Sequence, residues 1–255
     1  MKARLAVLCV ALAAVHVAQA QPSAAQRASA AQSTAQTSDK CRAVQPFYWS
    51  IGDARGVLAD GRAGARAPTA ATQMPIASAS KLVYAAFVAQ QRQGRLTDDD
   101  VRFLTFTSGY TQFRACRRGQ TIGECDAMGR NGEHEPSTDG KFAYNGGHMQ
   151  RHAVLDGLGP LDDAGLARTI NETLGTSFRY VQPQLAGGIA ASAADYGEFL
   201  RRIVGGQLQM KSLLGTHAAR MRRPHFIEAT PSCSAPFWAL RATMPHQALS
   251  CAIHG

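Results

Sequence analysis

Residues 75–89 read Pro75-Ile76-Ala77-Ser78-Ala79-Ser80-Lys81-Leu82-Val83-Tyr84-Ala85-Ala86-Phe87-Val88-Ala89. Pro75 precedes a stretch from Ser78 to about Gln93 that is apolar almost all round, and Gly94 supplies a stop. A helix without a polar face belongs inside a domain. At the mouth of this helix stand Ser78 and Lys81. Residues three apart share a helical face, so the hydroxyl and the amine can meet. Burial and the positive end of the helix dipole both disfavour the ammonium form. A neutral amine beside a hydroxyl is a general base beside a nucleophile. Unpaired N–H groups of the first turn can hold an oxyanion. The bland alternative is a capping serine followed by a lysine that snorkels to water. An S-x-x-K motif alone is a weak signal; its weight comes from its setting. Lys81 is the only lysine between Lys40 and Lys141, and it opens the most apolar helix of the chain.

Upstream, Phe47-Tyr48-Trp49-Ser50-Ile51 reads as a strand, Gly52-Asp53-Ala54-Arg55-Gly56 as a turn and Val57-Leu58-Ala59 as the returning strand. Downstream, Thr97-Asp98-Asp99-Asp100 has the form of a capping box with an acidic first turn. Residues 105–147 are rich in Gly, Thr, Ser and Asn and have no clear period, as functional loops often do. Leu166, Ile170 and Leu174 recur at helical spacing, with Gly175 as terminator. Ser192 caps a further helix carrying Tyr196, Phe199, Leu200 and Ile203, which ends at Gly205-Gly206. Residues 229–255 are an atypical tail without a defensible period.

At the other end, Lys2 and Arg4 precede an apolar run from Leu5 to Val17, followed by Ala18-Gln19-Ala20. This predicts a secretory signal peptide over 1–20, hence a periplasmic or secreted protein with no stable membrane anchor after cleavage. Residues 21–44, dominated in their first half by Ala, Gln, Ser and Thr, are expected to be a disordered linker, with one domain over 45–255. The 255 residues are 45% apolar and 18% charged, which is globular composition. The formal charge of +9, less the charges of Lys2 and Arg4, is +7. It comes from scattered arginines without interleaved aromatics, so no nucleic-acid platform is expected. In an oxidising compartment, Cys116 and Cys125 are the expected disulfide pair, with Cys233–Cys251 a weaker candidate.

Together these segments resemble the penicillin-recognising serine hydrolases: class C β-lactamases, D-Ala-D-Ala peptidases and related esterases. Pro75 to Leu82 resembles their nucleophile segment. Leu104-Thr105-Phe106-Thr107-Ser108-Gly109-Tyr110 resembles the segment downstream, with Phe106 where His is usual. Phe142-Ala143-Tyr144-Asn145-Gly146-Gly147 is similar to the segment holding the second catalytic motif, and Gly187 to Tyr196 with Phe199 to a later helix entry. The resemblance spans about 45–225. It implies an α/β (α+β) fold of the β-lactamase/transpeptidase type, an antiparallel sheet flanked by helices, with a helical, loop-rich insert over about 96–185. It implies Ser78 as the acylated nucleophile, Lys81 as its base or proton relay and Tyr144 as the phenolic proton shuttle. No cofactor and no metal is implied.

The chain departs from the pattern in two places. Gly146 stands where Asn or Ser follows the tyrosine by two, which leaves Asn145, one place early, as the expected substrate-binding side chain. The third motif, on an edge strand, is not identifiable; His254-Gly255 is the only superficial match. The segment from Ser232 to Gly255 therefore reads as a truncated or frame-shifted end that leaves the sheet incomplete and activity impaired. Two rival readings follow. One is a penicillin- or peptidoglycan-binding module with little turnover. The other is a metal-dependent hydrolase built on His148-Met149-Gln150-Arg151-His152, with Glu133-His134-Glu135 as further ligands; otherwise these histidines are expected at the surface. The primary expectation is a secreted serine hydrolase acting through an acyl-serine on a small amide or ester, whether β-lactam, D-amino-acid peptide or ester.

Overall fold

The computed structural model describes residues 22–217. The expected signal peptide, the tail over 229–255, the Cys233–Cys251 pair and His254-Gly255 all lie outside the described residues. The first strands are β1 (Phe47–Asp53) and β2 (Gly56–Ala63), an antiparallel hairpin pairing Phe47 with Ala63 and Asp53 with Gly56. Alternation buries Phe47, Trp49 and Ile51 on one face. Gly61 lies opposite Trp49, and a Cβ there would come within 2.8 Å of the indole, so the cross-strand site admits only glycine.

The buried face of the hairpin is covered by α1 (Ala24–Thr37), which is followed by the short α2 (Asp39–Arg42). This corrects the expectation of a disordered linker over 21–44. Alanine is the best helix former. Ser23 and Gln26 close a capping box at its start. Ala31 and Ala35, four apart, present a small apolar stripe that fits against the strands. Averaged composition hides such a stripe.

A second small sheet has the order β3-β5-β4: β3 (Met74–Pro75), β4 (Arg179–Tyr180) and β5 (Ile189–Ala191), all antiparallel. Its central strand β5 is buried throughout. From β3 the chain passes through a 3-10 turn (Ala77–Ala79) into α3 (Ser80–Gln91). Every residue from Ser80 to Ala89 is buried, as the all-round apolar pattern requires. Against α3 packs α7 (Asp163–Leu174), whose Leu166, Ile170 and Leu174 are fully buried, while α4 (Asp98–Leu104), capped by the Thr97–Asp100 box, adds Leu104 to the same core. Each such side chain contributes about 1.5–3 kcal/mol of apolar burial. Gly175, with φ of +61°, ends α7 in the left-handed region that glycine enters without strain. β5 leads through the capping residue Ser192 into α8 (Ala193–Val204), and α9 (Met210–Leu213) closes the described chain.

The expected insert contains α5 (Ile122–Asp126), a 3-10 turn (Pro136–Thr138) and α6 (Gly147–Ala153), which runs on into a π turn (Val154–Leu158). Cys116 and Cys125 are joined by a disulfide beside the buried Phe113, as the sequence predicts. Mixed helices and small antiparallel sheets are the expected fold class.

Candidate active site

The start of α3 is pinned to the second sheet. Ile76 N–H donates to Ile189 O at 2.9 Å, and Ile189 N–H donates to Ser80 Oγ at 3.3 Å. Tyr196 Oη donates to Ala79 O at 3.2 Å. Ser80, buried, is thus a structural serine, whereas Ser78, two residues earlier, faces solvent. Ala77 is held at a φ of +44°. Such a conformation costs an L-residue roughly 1–2 kcal/mol, a strain that residues next to reacting groups often carry.

Lys81 is 7% exposed. Its Nζ donates to Ser78 Oγ at 3.0 Å and to Ala186 O at 2.9 Å. The Tyr144 ring lies over it, 4.8 Å from Nζ to the centroid. Burial pulls the Lys81 pKa below its ordinary value; the neighbouring Tyr144 acts in the opposite direction and is outweighed. An amine so placed loses its proton more easily than a surface lysine. It can then accept the Ser78 proton along the contact already formed.

The Ala186 carbonyl was not foreseen in the sequence, although the Gly187-Gly188 pair beside it was a signal. A Cβ on Gly188 would lie 2.4 Å from Gln182 O and 2.6 Å from Gln184 O. Only glycine lets the chain fold this tightly behind Ala186.

Tyr144 is 47% exposed and packs edge-on against Phe106, with ring centroids 5.3 Å apart. Phe106, the residue in the place of the usual histidine, is fully buried at a φ of +61° and also touches Phe142 and His148. It acts as an apolar wedge behind the Tyr144 ring. The structure thus brings Ser78, Lys81 and Tyr144 together. It engages Asn145 elsewhere: Nδ2 donates to Phe113 O at 3.3 Å and Oδ1 accepts from Gly147 N–H at 2.8 Å. Those bonds shape the turn into α6, and Gly146 adds no side chain.

His148 and His152 of the rival metal reading are buried and separately engaged, which corrects the expectation that they are surface imidazoles. His148 Nδ1 bonds Ser108 Oγ at 2.7 Å and its Nε2 bonds Ala143 O at 2.9 Å. Burial lowers its pKa to about 4. His152 Nδ1 bonds Tyr84 Oη at 2.7 Å and its Nε2 bonds Asp100 at 2.9 Å. Burial would raise the Asp100 pKa, but hydrogen bonds from Arg92, Thr97 and His152 outweigh it and hold it at about 2. Glu133 pairs with Arg130, and Glu135 accepts from Ser137. All four imidazole nitrogens of His148 and His152 are in use, and no metal-ligand cluster occurs among the described residues.

No protein-family model matches the chain, and no curated protein matches it. Solved structures do. FmtA from Staphylococcus aureus superposes with a TM-score of 0.53 at 13% identity, over 68% of this chain and 67% of that one. The fold is of the β-lactamase/transpeptidase type. A protein from Bacteroides dorei named as a candidate β-lactamase has a TM-score of 0.47 at 20% identity, over 75% of this chain and 64% of that one. At these identities the likeness describes architecture. The chain spans about two thirds of the length of either neighbour.

Proposed function

We propose that this protein is an exported serine hydrolase of the penicillin-recognising type, related to class C β-lactamases, acting on a small amide or ester through an acyl-serine. The observation that carries the reading is the 3.0 Å contact between Ser78 Oγ and the Nζ of a lysine that is 7% exposed. The fold, the Tyr144 ring beside that amine and the Cys116–Cys125 disulfide support it. So does the Lys2-to-Ala20 leader pattern.

Neutral Lys81 takes the Ser78 proton as Oγ bonds to the substrate carbonyl carbon. The oxyanion is held by N–H groups at the start of the helix. The carbon–nitrogen or carbon–oxygen bond then breaks. The leaving group receives the proton from the Lys81 ammonium, with Tyr144 Oη as the relay. Water, deprotonated by the same groups, attacks the acyl-serine and restores Ser78. Asn145 shapes the turn, and the second hydrogen of its Nδ2 is the one to offer a substrate carbonyl.

A second reading, a binding module that acylates and then holds its ligand, is favoured by Gly146 and by the inward bonds of Asn145. Intact-mass measurement after a fluorophosphonate or penicillin probe separates the cases. The hydrolase gains one adduct that a penicillin-derived acyl group leaves with time. The binding module keeps that acyl group. Equal mass gain in wild type and Ser78→Ala sinks both.

A further inference from the structure

We propose that Gln150 is a positioning residue that fixes the Lys81 amine relative to the Tyr144 turn, by tying the Leu185–Ala186 backbone to α6. The inference rests on the acyl-transfer reading above. Gln150 is fully buried in a helix whose other inward residues include the apolar Met149 and Ala153. A polar side chain there is unfavourable unless its hydrogen bonds are met, and these are. Nε2 donates to Pro183 O at 3.0 Å and to Ile122 O at 3.3 Å, and Oε1 accepts from Leu185 N–H at 3.3 Å. Its backbone N–H donates to Gly146 O at 3.1 Å, the first helical bond of α6, which starts where the Tyr144 turn ends.

Two segments therefore meet at one side-chain amide, on a helix that begins directly after the Tyr144 turn. Ile122 opens α5, which bears Cys125 of the disulfide. Gly146 ends the Tyr144 turn. Leu185 directly precedes Ala186, whose carbonyl is the second anchor of Lys81 Nζ. No part of Gln150 touches Ser78, Lys81 or Tyr144 in the bonds described, so it acts through them. Displacing that carbonyl by about 1 Å moves the amine off the Ser78 hydroxyl, a misplacement that costs up to about 100-fold in rate. It also admits water to the amine, which restores the ammonium.

The test uses the full chain and a fluorophosphonate probe. Gln150→Met keeps length and bulk and removes every side-chain hydrogen bond. Gln150→Asn, which keeps an amide but shortens its reach, serves if the Met variant does not fold. Ile203→Ala, at a buried position of α8, is the control for general destabilisation. Lys81 is followed separately by 15N-lysine NMR, its resonance assigned by its loss in Lys81→Met. The expected result is a 10- to 100-fold slower acylation at saturating probe, half-saturation within threefold of wild type, and a Lys81 titration moved to higher pH. Acylation within threefold of wild type with an unmoved titration overturns the proposal, as does an equal loss in Ile203→Ala. If wild type takes no adduct, acyl transfer fails as a reading, and the Lys81 titration alone then decides whether Gln150 positions the amine.

Discussion

Replacing Lys81 by Met separates the lysine's chemistry from its effect on stability. Methionine preserves most of the stem and cannot titrate. It gives up the bonds to Ser78 Oγ and Ala186 O, at 3.0 and 2.9 Å. Each is worth about 0.5–1.5 kcal/mol net, so about 1–3 kcal/mol is lost. Against that stands the burial of the ammonium, which holds the folded pKa below 10.5. Below the folded pKa both states carry the proton, and the folded protein bears the whole penalty, about 1.36 kcal/mol per unit of lowering. Above 10.5 neither state carries it, and the penalty is gone. Between those limits the unfolded chain binds more protons, so wild-type stability rises with pH, at a slope of at most about 1.36 kcal/mol per pH unit. The variant lacks this term. The two effects oppose at pH 7, so Lys81→Met lies within about 2 kcal/mol of wild type there. It falls progressively behind as the pH approaches 10. Urea unfolding of both proteins at pH 7, 8, 9 and 10 measures the gap, with groups common to both cancelling. Parallel stability curves across that range refute the claim that this lysine is charged at a cost in the fold.

His148, pulled down by burial to about 4 from 6.5, destabilises the fold as pH falls through that window. The unfolded chain takes the proton first, so about 3 kcal/mol of stability is lost between pH 7 and 4, and denaturant midpoints of His148→Gln are expected to lack this component. Replacing both Cys116 and Cys125 by Ala opens a loop with sequence separation 9. The chain-entropy cost is about 2–3 kcal/mol, read as a melting temperature lower by roughly 5–10 °C. Phe106→Ala removes a fully buried ring from behind Tyr144. It is expected to cost about 3–5 kcal/mol in urea titrations and to slow acylation of the fraction that remains folded.

Local signals in the chain proved readable. The hairpin alternation, the Thr97 and Ser192 capping boxes, the Leu166-Ile170-Leu174 stripe and the Ser78–Lys81 spacing each depend on residues within one or two turns of one another. What stayed hidden depends on distant partners. The α1 helix resembles a linker in composition because its packing stripe is alanine. His148 and His152 look like a possible ligand pair until the fold brings Ser108, Tyr84 and Asp100 to them from 40, 68 and 52 residues away. Asp100 was legible as a cap but not as the acceptor for Arg92 and His152. Asn145 illustrates the same limit: the sequence shows an amide beside Tyr144, but the direction of that amide is set by Phe113, 32 residues earlier.

The most direct measurement is the rate of fluorophosphonate labelling from about pH 5 to about pH 11.5, with the adduct located by peptide mapping at each pH. The modified residue should be Ser78 throughout, and the rate should climb to a plateau with its midpoint below the 10.5 of an ordinary lysine. An adduct on another residue, or a Ser78 rate whose midpoint lies at or above 10.5, contradicts an amine neutralised by burial next to the nucleophile.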